Sequence, residues 1–328
     1  MMSSAVASSV AFITESSASL SLQNTRTILR QRHYRIGPVA VTLMSDLPEV
    51  ADAFHRYYRS YETSIPATGS FRIEVREKRS WRSLRRYYHI FANGRQQCIL
   101  KNQRSILPFI EWTMNASVAK FLPDYYQIHA ATVSRNGTGM IIAGEPGQGK
   151  STLTAGLLAH GWSYLSDEFA LIHRGSHQLN AYPKALCIKA GSFEPVLRLG
   201  LPLDMKNVLH KGSKGPVSLI DPLAIRPDIV SGVCPVGMIV FPHYEAGATP
   251  TIDPMSRAQA MFELVRLSFN FTKFRDRGLG LLSEIVHRSN CVRLQTGDLA
   301  TTCELLETYM VANRRGNASF MTNRGHST

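Results

Sequence analysis

The sequence predicts an α/β protein in two parts: a small α+β unit, then a larger α/β domain organised around one glycine-rich loop. Three observations carry this. Gly144-Glu145-Pro146-Gly147-Gln148-Gly149-Lys150-Ser151 fits the spacing G-x-x-x-x-G-K-[ST], the phosphate-binding P-loop. An apolar strand, Met140 to Ala143, leads into it, and a helical run, Thr152 to His160, leads out. Upstream, residues 34–124 mix strand-period and helix-period patterns and hold no cluster of chemically active side chains.

Composition narrows the class. The chain has 328 residues, 44% hydrophobic and 19% charged, which suits a globular protein. No run approaches the ~18 apolar residues of a membrane-spanning helix. Met1 to Leu22 is rich in Ser and Ala and lacks the basic start and apolar core of a secretory signal, so a disordered leader or a mis-assigned start is expected. Cys98, Cys187, Cys234, Cys291 and Cys303 show no metal spacing, and free thiols in a cytoplasmic setting fit them. The net charge of +13 favours acidic partners. Arg72, Arg76, Lys78, Arg79, Arg82, Arg85 and Arg86 crowd one stretch; Lys206, His210, Lys211 and Lys214 crowd another. Each is a solvated surface or a docking patch for an acidic peptide. No nucleic-acid motif accompanies them, so no nucleic-acid partner is expected.

Taken in order, residues 1–33 read as a disordered tail. Arg35 to Leu43 is a strand, with Gly37-Pro38 marking an edge or bulge. Ser45 or Asp46 caps a helix that runs to about Tyr58. Phe71 to Val75 alternates as a strand, and Asn93-Gly94 turns a hairpin between Tyr87–Ala92 and Gln97–Leu100. Ile106 to Phe121 is helical, with Phe109, Trp112, Met114, Val118 and Phe121 as core. The first domain is 34–124 and the second 125–313. In the second, Tyr126 to Ser134 turns at Asn136-Gly137 and pairs with the strand before the loop. The loop is thus reached through a hairpin, whereas most such loops follow a helical crossover. Gly161 ends the loop's helix. Trp162 to Leu165 is a short strand, followed at once by Ser166-Asp167-Glu168 and by Phe169 to His173, still extended. Leu179–Tyr182 and Ala185–Lys189 are further strands, and 203–216 is a polar loop. Met238 to Phe241 is a buried strand. Helices start at Ser256, near 279 and at Asp298, the last ending near Val311. Residues 314–328 read as a disordered tail.

The residue types point to phosphate chemistry. Backbone amides of Gly144, Glu145, Pro146, Gly147, Gln148, Gly149, Lys150, Ser151 and Thr152 frame a concavity at a helix N-terminus, although Pro146 itself lends no N–H. Lys150 places a charge on the β- and γ-phosphates of ATP, and the Ser151 hydroxyl serves Mg²⁺. A second acidic anchor is needed. Asp167-Glu168, sixteen residues past Ser151 and after one helix and one turn, supplies two carboxylates. One suits the metal and the other suits a proton acceptor. His129, between Ile128 and Ala130, lies on the strand paired with the loop strand.

Together, His129, the P-loop and Asp167-Glu168 resemble the HPr kinase/phosphorylase catalytic domain. The hairpin before the loop is a feature that family shares with ATP-dependent phosphoenolpyruvate carboxykinases. The likeness is closer to the group called HprK-related kinase A. Leu165–Phe169, Leu186–Phe193, Val240–Tyr244, Ser268–Phe271, Arg35–Pro38 and Glu111-Trp112 all look like segments of that group, so the resemblance spans about 34–312. It implies an HPr-kinase-like, carboxykinase-like core. It implies that Asp167 transfers the proton, that Glu168 associates with the metal, and that His129 assists the aspartate. It implies ATP and Mg²⁺ as cofactors and a peptide or small-protein Ser/Thr hydroxyl as acceptor; a homo-oligomer is compatible with the sequence, which leaves the oligomeric state open. The bifunctional enzymes carry a metal-binding glutamate after the acidic pair. Lys189-Ala-Gly-Ser192 stands in that region here, with Lys189 a candidate phosphate contact. That departure leaves open both HPr as acceptor and the phosphorylase reaction. Two other readings remain at this point: a nucleotide-dependent switch or peptide chaperone, and a carboxykinase-like enzyme, for which no further metal ligands are found.

Overall fold

A hairpin opens the structure, a computed structural model that describes residues 29–66, 70–80, 83 and 85–322. Strands β1 (Arg30–Ile36) and β2 (Val39–Ser45) pair antiparallel with Ile36 opposite Val39. Gly37-Pro38 is therefore the turn between two strands, not a bulge within one. β1 takes in Arg30 to His33, which composition had assigned to the tail. Pairing with β2 and burial of Tyr34 and Ile36 outweigh the Arg-rich local composition. Residues 1–28 lie outside the described residues.

Helix α1 (Pro48–Tyr58) buries Val50, Phe54 and Tyr58, yet neither expected cap serves it. The Ser45 hydroxyl accepts from Leu47 N at 3.1 Å, and the Asp46 carboxylate accepts from Glu77 N at 3.0 Å. Burial raises the Asp46 carboxyl above its ordinary value. β3 (Glu62–Thr63) edges β1, and β4 (Phe71–Arg79) runs parallel to β2. β5 (Arg86–Ala92) and β6 (Arg95–Leu100) continue antiparallel, giving the order β3-β1-β2-β4-β5-β6. Helix α2 (Ile106–Phe121) packs on this sheet beside α1. Its buried stripe is Ile106, Ile110, Met114 and Val118, whereas Trp112 and Phe121, read as core, are 37% and 51% exposed. Trp112 lies about 200° around the helix from Ile110, so the two face opposite ways.

A second hairpin, β7 (Tyr125–Arg135) and β8 (Thr138–Ala143), starts the other compact unit, with Ala130 opposite Ala143. Asn136 (φ 52°) and Gly137 (φ 74°) both adopt the left-handed conformation that a tight two-residue turn requires. Helix α3 (Lys150–Ala159) follows the loop. β9 (Ser163–Ser166) and β10 (Phe169–His173) lie end to end along β7, both antiparallel to it, and β11 (Leu179–Asn180) pairs with β10.

The chain then returns to the first unit. β12 (Leu186–Lys189), β13 (Leu209–His210) and β14 (Pro216–Ile220) form a three-stranded sheet. Segments Lys184–Phe193 and Leu203–Asp221 group with Met1–Pro123, not with the loop-bearing unit where the sequence had set them. The "polar loop" 203–216 thus contains paired strand. Long-range pairing explains the regrouping. Buried Lys184 lies 3.6 Å from Glu111, which also accepts from Tyr58 Oη at 2.7 Å. Asp204 accepts from Tyr57 Oη at 3.1 Å. Short helices α4 (Phe193–Arg198) and α5 (Pro222–Ile225) flank these segments.

In the loop-bearing unit, β15 (Val236–Tyr244) runs parallel to β8 and β17 (Asn290–Thr296) parallel to β15, with β16 (Thr251–Pro254) antiparallel at the edge. The order is β11-β10-β7-β8-β15-β17-β16, with β9 beside β7. Helices α6 (Arg257–Arg266), α7 (Phe271–Phe274) and α8 (Asp276–Arg288) follow β16. Ile128, Ala130, Ile141, Ala143 and Ile239 form one buried cluster with Ala260 and Leu264 of α6 and Leu282 and Ile285 of α8. Met140 and Ile142, which alternate to the other face, are buried as well. The described residues thus form a mixed α/β fold with three sheets, parallel and antiparallel. Asp298 caps α9 (Leu299–Thr322), accepting from Thr301 N at 3.0 Å. This helix runs past Val311 into the stretch read as a tail, and 323–328 lie outside the described residues. None of the five cysteines, all among the described residues, forms a disulfide. Among the described residues no helix is long and apolar enough to cross a membrane.

Candidate functional site

The loop between β8 and α3 has the form its spacing predicts. Gly147 (φ 102°) and Gly149 (φ 86°) hold left-handed backbone that residues with a Cβ reach only at a cost of roughly 1–2 kcal/mol. Gly149 is the cap position of α3, so the first amides of the helix face the loop. Lys150 is 7% exposed, and its Nζ donates to Gly144 O at 2.6 Å and to Glu145 O at 3.0 Å. Ser151 and Thr152 are half-buried on the first turn, while Glu145, Pro146 and Gly147 are exposed.

The acidic pair is a bend in what is otherwise one strand. Ser166 pairs with Thr132 and Phe169 with His129, so Asp167 and Glu168 break out of a ladder that resumes in register. Ser166, fully buried, stabilises the bend: its hydroxyl accepts from Phe169 N at 3.2 Å and Glu168 N at 3.4 Å. Asp167 is 7% exposed, and the Glu168 side chain 30%. Both sit one strand removed from β8, about 10 Å at ordinary strand spacing. His129 Nδ1 lies 3.6 Å from Glu168 Oε1. The sequence reading had coupled His129 to Asp167; the contact given by the geometry is with Glu168.

What holds His129 was not legible. Its N–H donates to Leu267 O at 2.8 Å, and its ring meets Phe269 edge-on at 5.7 Å. Phe269 also packs on Phe169 at 4.9 Å. Buried Asn270 acts as a substitute strand: its Oδ1 accepts from Gln127 N at 3.0 Å and its Nδ2 donates to Tyr125 O at 2.8 Å. The stretch Leu267–Asn270 thereby braces the start of β7. Sequence likeness had marked Ser268–Phe271 without a role. Arg266 was missed altogether. It pairs with Glu145 of the loop and with Glu263, the latter at 2.7 Å. Only the fold brings α6 to the loop.

Lys189, a candidate phosphate contact, ends β12 and groups with the first unit. The basic stretch is less bare than its count of cations suggests. Arg76 pairs with Glu74 and Arg79 with Glu77 at 3.0 Å, because alternate residues share a strand face, and Arg86 reaches Glu77 at 3.5 Å from the neighbouring strand β5. Arg82 lies outside the described residues. Among the described residues no group of three His, Cys, Asp or Glu side chains is placed to hold a metal ion.

Chemically, a helix-start concavity lined by N–H groups and an ammonium follows β8, while a buried carboxylate and a histidine–glutamate pair lie on and beside β7, the strand paired with it. No protein-family model matches this chain, and no curated protein does.

Proposed function

We propose that the chain is an ATP- and Mg²⁺-dependent kinase, HPr-kinase-related, with an HPr-kinase-like core. It transfers the γ-phosphate to a Ser or Thr hydroxyl of a peptide or small protein. One observation carries the reading: His129, Asp167 and Glu168 all lie on or along β7, the strand hairpinned to the one that leads into the loop. A loop that only binds nucleotide needs a metal acid, whereas transfer to a hydroxyl also needs a base.

The donor set suits Mg²⁺, a hard cation satisfied by one or two protein oxygens with phosphate and water. Ser151 and Glu168 are the residues that would hold it; bound there, the ion neutralises charge on the β- and γ-phosphates. Lys150 exchanges Gly144 O and Glu145 O for phosphate oxygens. Asp167 accepts the proton as the acceptor's O–H bond breaks and its oxygen bonds to the γ-phosphorus. The bond from that phosphorus to the β,γ-bridging oxygen breaks, and ADP leaves with the electron pair. His129 orients the acidic pair through Glu168. Positioning and fixed charge supply most of the rate.

The test is label transfer from γ-labelled ATP to a panel of Ser- and Thr-containing peptides. Wild-type protein is expected to label peptide, and Asp167→Asn to slow transfer by about 10²–10⁴-fold while still binding ATP. Full transfer by Asp167→Asn would falsify the assignment. Label released only as free phosphate would favour a nucleotide switch.

A further inference from the structure

The stretch Val240–Tyr244 has no part in the chemistry above, yet it runs along the loop. β15 is in register with β8 as far as Val240 beside Ile142, and then overshoots it. Pro242 Cδ comes within 3.9 Å of where a Cβ on Gly144 would stand, and Tyr244 Cβ within 3.5 Å of where one on Gly149 would stand. His243 Nδ1 lies 3.1 Å from Gln148 Oε1, so this segment contacts the loop at Gln148 and runs close beside Gly144 and Gly149. Tyr244 is 53% exposed. A half-exposed aromatic at a strand end, against a phosphate-type loop, is placed to meet a flat partner.

Topology says which end of a ligand it meets. In the sheet, β7, β9 and β10, with His129, Asp167 and Glu168, lie on one side of β8; β15 lies on the other. A nucleoside triphosphate is elongated, anionic at one end and aromatic at the other. If its terminal phosphate is drawn toward Asp167, its nucleoside end leaves the loop on the β15 side. We infer that Tyr244 is the base-stacking residue of this site, and that the His243–Gln148 contact steadies the loop beneath it. This rests on the reading of the loop as a nucleoside triphosphate site. Stacking accepts the π-face of any base, so the site discriminates strongly against a triphosphate without a base and weakly between bases.

Calorimetric titration of the full chain with Mg·ATP, Mg·GTP and magnesium tripolyphosphate tests it. Tyr244→Ala is expected to weaken Mg·ATP about tenfold or more and to leave tripolyphosphate within about twofold. Tyr244→Phe, which keeps the ring, should retain wild-type affinity, and ATP and GTP should agree within about threefold. Wild-type binding of ATP and tripolyphosphate that Tyr244→Ala leaves unchanged overturns the inference alone. So does an equal loss for both ligands, which would mean that the ring merely supports the loop. Wild-type protein that binds neither overturns the nucleotide reading, and this inference with it.

Discussion

On one flank of β8 the neighbour is β7, antiparallel and joined to it by a two-residue turn; on the other it is β15, parallel and far away in sequence. The β7 flank carries ionisable side chains: His129, and Asp167 and Glu168 on the bend beyond it. The β15 flank carries Pro242, His243 and an exposed Tyr244. An antiparallel hairpin can be read from its turn, so local sequence suffices to assign its side chains to the loop. A parallel neighbour comes through a crossover whose landing place only packing decides. The difference teaches that the legible half of a loop site is the half with local connectivity.

The proposed division of labour breaks first, and most visibly, on the β7 flank. If His129 acts through Glu168, His129→Ala and Glu168→Gln should each slow label transfer, by roughly 10–100-fold for loss of a positioned charge partner. Their combination should then be little worse than the weaker single variant. Fully additive losses in this double-mutant cycle would separate the two residues.

Next in size is the brace. Asn270→Ala removes the partner of buried Gln127 N, at roughly 1–3 kcal/mol, and that of half-buried Tyr125 O, which water partly replaces at about 1 kcal/mol. Urea unfolding should show a loss on the order of 2–4 kcal/mol. A loss below about 0.5 kcal/mol, within the range of ordinary surface substitutions, would mean that β7 does not depend on this side chain.

The smallest effect is expected at Arg266, an exposed cation paired with Glu145 and Glu263. Arg266→Ala should cost under about 1 kcal/mol in the same unfolding measurement, since exposed pairs are screened by water and salt. Adding moderate salt should shrink that difference further. A larger cost that salt does not touch would mark Arg266 as part of the loop's support.

Residue order alone carried much of this protein. Spacing set the loop, because Gly147 and Gly149 supply left-handed backbone at fixed distances from Lys150. Asn136-Gly137 set the hairpin, because a two-residue turn demands positive φ at both positions. Those two local rules, with the short connection from α3 to Asp167, were enough to set His129 on the strand paired with β8 and the acidic pair along that strand's other edge. Tertiary structure decided the rest. Lys184 with Glu111, Asn270 with Gln127, Arg266 with Glu145 and His243 with Gln148 join residues that no local period relates. It also moved 184–193 and 203–221 into the first unit and turned Trp112 outward. Local backbone preference acts within a few residues and can be read one turn at a time. Burial and long-range pairing act on the whole chain at once, and they exist only when it is folded.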